Sequence, residues 1–202
     1  MRRLNKSTCM KTLLIILGLT LTSTVSAQVK FLSKTFDNGF KYPVAVFTTD
    51  KSVEDSLNRL IRASIGDLET SDFCIGEFGY VQKGPHLQLF LLCNCIDMPT
   101  SEHRYLFFNL EVGSLVPQKD LFSPKEYEAA LKLISAKIKT HKAITTESQQ
   151  EFEALIDNLT FESIDIRLSK DGIEIRPMNH NHSEKSPLLI SWIDLKPYLQ
   201  YN

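Results

Sequence analysis

Among the 202 residues, the pattern with the strongest claim to chemistry is His180, His182 and Glu184. In an extended segment, residues at i, i+2 and i+4 point to one side. Two imidazoles and a carboxylate could then converge on one Zn²⁺ or Fe²⁺ and leave a coordination position open for water, which is the equipment of a metal-dependent hydrolase. The competing reading is a solvated loop, since the run from Asn179 to Ser183 has the composition of a turn. On that reading no cofactor is expected.

The cysteines are Cys9, Cys74, Cys93 and Cys95. Two residues apart in a strand is near the upper limit of the Cα separation that a disulfide tolerates, so Cys74 with Cys93 or Cys95 is preferred to Cys93 with Cys95. The alternative is three reduced cysteines buried as small apolar side chains. As nucleophiles they are poorly placed. Cys93 and Cys95 stand in the most apolar stretch of the chain, where desolvation raises a thiol pKa, and His86 or His103 could assist only if folding brought one alongside. No Gly-x-Ser-x-Gly elbow occurs, nor a glycine-rich phosphate loop.

The acidic pairs Glu54 with Asp55 and Glu151 with Glu153 fall on solvent-facing helix positions, where nothing pushes their pKa values apart for acid and base roles. Tyr105, Phe107, Phe108 and Trp192 could line a sugar groove, although alternating aromatics in strands commonly form core. No catalytic constellation emerges, and the chain reads as a binding protein before it reads as an enzyme.

The elements that must position these residues follow from periodicity. Val29 to Phe36 and Phe40 to Thr48 alternate around Asp37-Asn38-Gly39, which predicts a hairpin. Asp50 precedes Val53, Leu57, Leu60, Ile61 and Ile65 at helical spacing, predicting a helix over 51–65 that stops at Gly66. Strands are expected over 73–81, 87–96 and 105–112, with 87–96 central because both its faces are apolar. Ser123-Pro124 opens a second helix with Tyr127, Leu131, Ile134 and Ile138 as its stripe, and 147–158 forms a short third. Phe161 to Leu168 and Ile173 to Arg176 flank Lys170-Asp171-Gly172 as a hairpin, and Leu188 to Trp192 closes the sheet. The expected fold class is α+β: a mainly antiparallel sheet with two longer helices and one short helix packed on it.

Residues 1–27 have the order of a cleaved signal peptide. Arg2, Arg3, Lys6 and Lys11 precede an apolar run from Leu13 to Leu21, and Val25 and Ala27 occupy the small-residue positions before a cut ahead of Gln28. The run is too short and too interrupted for a membrane anchor. Secreted or periplasmic localisation is therefore expected, with no membrane span after cleavage and one α+β domain over 28–202, which would divide, if anywhere, near 97–104. Removing four cations leaves 19 basic against 24 acidic residues, a formal charge of −5. That balance argues against nucleic acid as a partner, because the polyanion needs a basic excess.

Tyr105 to Phe122 (YLFFNLEVGSLVPQKDLF) combines Asn109 and Gly113 at a strand end with Leu121-Phe122 before a helix. This segment resembles a family of exported domains of unknown function, found in a lysozyme-sensing anti-sigma factor and beside some peptidoglycan deacetylases. Leu188 to Leu199, with Leu195, Tyr198 and Leu199, is similar to the family's final strand and ending, and Tyr42-Pro43 with Leu57-Asn58 to its N-terminal half. Many members carry a Gly-Gly-Ala-His loop before the Asn-containing strand, a place filled here by Asp97 to His103. The resemblance implies a cell-envelope setting, and the expected partner is a wall glycan or an extracellular protein.

Overall fold

Two apolar clusters share one sheet as their common wall. The computed structural model describes residues 29–47, 50–71, 73–96, 102–141, 146–177 and 187–201. Residues 1–28, where a signal peptide is expected, and the His180, His182 and Glu184 set lie outside them.

Strands β1 (Lys30–Thr35) and β2 (Lys41–Val46) form the first hairpin. Its turn is set by Gly39, whose φ of 93° is a conformation that L side chains rarely adopt. Asn38 fixes the turn twice over: Oδ1 accepts from Phe40 N at 3.1 Å, and Nδ2 donates to the carbonyls of Leu68 and Ser71. Helix α1 (Lys51–Ile65) begins where the Asp50 carboxylate accepts from Ser52 N and Val53 N. Those bonds satisfy donors that have no partner inside a helix. Leu57, Ile61 and Ile65 are fully buried on its inner face. Gly66 does not stop the chain in the left-handed conformation. It stays right-handed and leads a 3-10 turn, Gly66–Glu69, which buries Leu68.

The central sheet has the order β3 (Cys74–Lys83), β4 (His86–Cys95), β5 (Glu102–Asn109), β6 (Ser114–Leu115), antiparallel throughout. Strand β4 is interior, as its two-sided apolar pattern predicts. Alternation divides its side chains. Leu87, Leu89, Leu91, Cys93 and Cys95 join the cluster beneath α1 and the hairpin, while Gln88 lies on the opposite face and reaches the C-terminal half. On β5, Phe108 belongs to the first cluster and Phe107 to the second.

The C-terminal half comprises α2 (Tyr127–Thr140), α3 (Thr146–Ile156), the sheet β7 (Ile164–Leu168), β8 (Gly172–Pro177), β9 (Leu188–Ser191), and the short α4 (Trp192–Leu195). Pro124 starts a 3-10 turn ahead of α2, and the Ser123 side chain makes no cap bond. The stripe that α2 buries completely is Ala130, Ile134 and Ile138. The class is α+β, with its strands divided into sheets of two, four and three rather than gathered into one. The division follows from chain direction. Strands pair with their neighbours in the chain, and among the described residues no ladder runs from one sheet to the next. Side chains, together with the bond from Cys74 N to Asn38 O, connect them.

Candidate functional site

The structure pairs Cys74 with Cys95, directly opposite each other on β3 and β4 with a Cα separation of 4.1 Å. Cys93 is a buried free thiol whose pKa desolvation pushes up to about 11, which removes the thiolate a nucleophile needs. Neither histidine considered for it can help. Cys93 points into the first cluster, whereas His86 packs on Phe107 of the second and His103 stands opposite Leu92 on the other face of the sheet. Among the described residues, no three His, Cys, Asp or Glu side chains converge for a metal.

The four aromatics considered for a sugar groove do not share one. Phe108 is fully buried in the first cluster. Phe107 stacks on His86, with ring centroids 5.4 Å apart. Tyr105 is covered by the Arg167 guanidinium, 4.0 Å from its centroid. Trp192 donates Nε1–H to the Ser169 and Lys170 carbonyls, with the Lys83 ammonium over its ring. Glu54 is no acid-base residue either. Lys51 and the Phe47 N–H hold its carboxyl below the usual carboxylate range, and it ties the end of β2 to α1.

The segments Tyr105 to Phe122 and Leu188 to Leu199 do meet, in a clasp. Phe122 bridges to Leu199, Ser123 N donates to Tyr198 O, and Gln200 N donates to Leu121 O. Beneath the clasp, His86 is 1% exposed, between Phe107 and the edge of Tyr201. Burial lowers its pKa, while the charges of Asp120 and Glu111 and a bond to the Asp120 backbone pull the other way. These motifs are structural fasteners.

What remains with binding geometry is the outer edge of β3. Antiparallel partners alternate between residues that exchange backbone bonds and residues whose N–H and C=O point away. Phe73 O accepts from Ile96 N, so that pair is bonded, and Cys74 N turns outward to Asn38 O. By alternation, Gly76 and Phe78 also turn their backbone groups outward. Gly76 itself is buried under the hairpin, and no side chain of a described residue bonds those groups. They line a cleft of about 480 Å³ together with Ser33, Lys41 and Glu77. The hairpin forms its other wall, and crosses so close that a Cβ on Gly76 would lie 2.5 Å from Lys41 O and from the Phe40 ring. Around the cleft, Phe73, Ile75 and Ile96 are 58%, 55% and 76% exposed, and Phe90 lies flat over Gly79 with 44% of its surface open.

No protein-family model matches the sequence, and no curated protein matches it. Among solved structures, the chain is similar to a DUF3298 family member from Bacteroides fragilis, with a TM-score of 0.44 and 14% identity over 88% of this chain and 96% of that one. It is also similar to a DUF3298 family protein from Pseudomonas aeruginosa, with a TM-score of 0.40 and 8% identity over 87% of this chain and 95% of that one. Both belong to an uncharacterised family.

Sequence periodicity predicts a strand at 73–81 but not that its outer edge stands open. The available signal was the pair Gly76 and Gly79 inside an apolar run, which marks a strand that something approaches closely.

Proposed function

We propose that this chain is an exported cell-envelope protein, cut after Ala27, which acts as a non-enzymatic binding module for a wall glycan or an extracellular protein. The observation that carries the reading is the open end of the central sheet. Phe73, Ile75, Ile96 and Phe90 stand exposed beside a cleft with an unpaired strand edge. Large apolar side chains left in water near one another are costly and commonly mark an interaction site. Export is supported by the order of charges, apolar run and small residues in 1–27, and by the Cys74–Cys95 bond, which suits an oxidising compartment. The likeness of Tyr105 to Phe122 to exported domains beside a lysozyme sensor and peptidoglycan deacetylases points to the same setting.

Cell fractionation of the full chain, with intact-mass analysis, tests the export half. The expected product starts at Gln28, lies outside the cytoplasm and carries one disulfide; an uncut, reduced protein in the cytoplasm overturns it. For the binding half, immobilised protein is exposed to soluble wall fragments and to envelope proteins. Retention that Ile75→Asp abolishes supports the site, and retention equal in both forms removes it.

A further inference from the structure

We infer that the outer edge of β3 takes up an extended segment of a partner polypeptide, which lies against Gly76 and Phe78 as an added strand. This rests on the binding-module reading and narrows it to a protein partner. Three observations carry it.

The first is the contrast among strand edges. At β2, Asn58 bonds both backbone groups of Ala45, accepting from N at 2.7 Å and donating to O at 2.9 Å. At β7, Gln88 donates to Ile166 O and accepts from Leu168 N, while Gln118 accepts from Ile166 N. In each case a side-chain amide does what a neighbouring strand would do. The edge of β3 at Gly76 and Phe78 has no such amide among the described residues, and it lines a cleft that a ligand with backbone chemistry could enter.

The second is the space. The hairpin touches β3 where Cys74 N donates to Asn38 O and again where Lys41 O and the Phe40 ring lie over Gly76, and Phe31 packs on Phe78 and Tyr80 farther along. A cleft of about 480 Å³ opens between these points, with Gly76 and Phe78 in its lining.

The third is charge. Lys41 on one wall and Glu77 on the other form no ion pair with a described residue. Side chains of an added strand alternate between its two faces. The segment would therefore set an acidic side chain towards Lys41 and, on its other face, a basic one beside Glu77 and an apolar one beside Ile75. A second copy of this chain, added antiparallel about Glu77, would bring two carboxylates together at a cost, which favours a different polypeptide.

Random dodecamers displayed on phage are selected against the mature protein, and the best binder is resynthesised with N-methyl groups at each backbone position in turn. Methylation at alternate residues, those facing β3, should weaken binding by about 10- to 100-fold, the loss expected for one or two backbone bonds. Methylation at the residues between should change it little. The Gly76 and Phe78 amides should gain hydrogen-exchange protection in the complex, and Glu77→Lys should invert the charge preference. Peptide binding with no alternating response overturns strand addition and leaves the binding-module reading standing. If soluble wall glycan binds and no peptide does, the partner class is overturned; if neither binds, both readings fall.

Discussion

At β7 the backbone groups that point away from β8 are bonded by Gln88 and Gln118, two amides reaching across from outside its sheet. At β3 the corresponding groups of Gly76 and Phe78 open on a cleft. The difference lies in water. Ile166 and Leu168 are buried between the two halves, 1% and 6% exposed, and an unpaired backbone group there would cost about 1–3 kcal/mol. Such an edge must be satisfied by the protein itself. At β3 Gly76 is buried beneath the hairpin, but Ile75 and Glu77 beside it are exposed and the edge lines a cleft, where water can reach the groups that no amide takes. A satisfied edge holds the fold together, and an open one leaves capacity for binding.

Removing the amide should break the first side of this comparison most severely. Gln88→Ala strips partners from two buried backbone groups and should lower stability by about 4 kcal/mol, read by urea denaturation; a loss below about 1 kcal/mol would mean that the amide is not what satisfies β7. Next in size is the staple at the end of the open edge. Cys74→Ser removes a crosslink between residues 21 apart, worth about 3 kcal/mol by loop closure, and the same denaturation curve under reducing conditions should match it. At β2, Asn58→Ala releases both backbone groups of the buried Ala45 and should cost about 2 kcal/mol. The loss is less than at β7 because Asn58 is only half-buried and water can take part of its place.

A smaller effect is set by pH at the clasp. The His86 pKa is lowered from 6.5 in the fold, so on acidification the unfolded chain binds the proton first. The stability that depends on neutral His86 is complete above about pH 6.5 and falls as pH drops through the window below it, with a slope of at most about 1.4 kcal/mol per pH unit. Thermal melts at pH 5 and 8 should show this shift, and His86→Phe should remove its share. The smallest effect belongs to the open edge. Glu77→Ala should change stability by less than about 0.5 kcal/mol, and a larger loss would show that Glu77 serves the fold rather than a partner.

Several elements could be read directly from the chain because short-range physics decides them. The first hairpin follows from Asn38-Gly39 between alternating strands, α1 from Asp50 and its apolar stripe, and the interior place of β4 from its two-sided apolar run. The site was far less legible. Ile75 and Glu77 look like ordinary strand residues, and their exposure depends on which strands pair outside them. Gln88 inside an apolar run gives no hint of its partner 78 positions away. Gly66 looks like a helix stop, but burial of Leu68 beyond it draws the chain into one more right-handed turn.

What the amino-acid order determined by itself is local: turns, caps, periodicity, and the arrangement of charge and apolar residues in 1–27, all of which depend on neighbours within a few positions. Tertiary structure alone decided the rest: that β4 and β5 wall two cores at once, that Cys95 rather than Cys93 meets Cys74, and that one strand edge is closed by an amide and another left open. Those outcomes rest on contacts between residues far apart in the chain, whose bonding needs are set by burial, and burial exists only once the chain has folded.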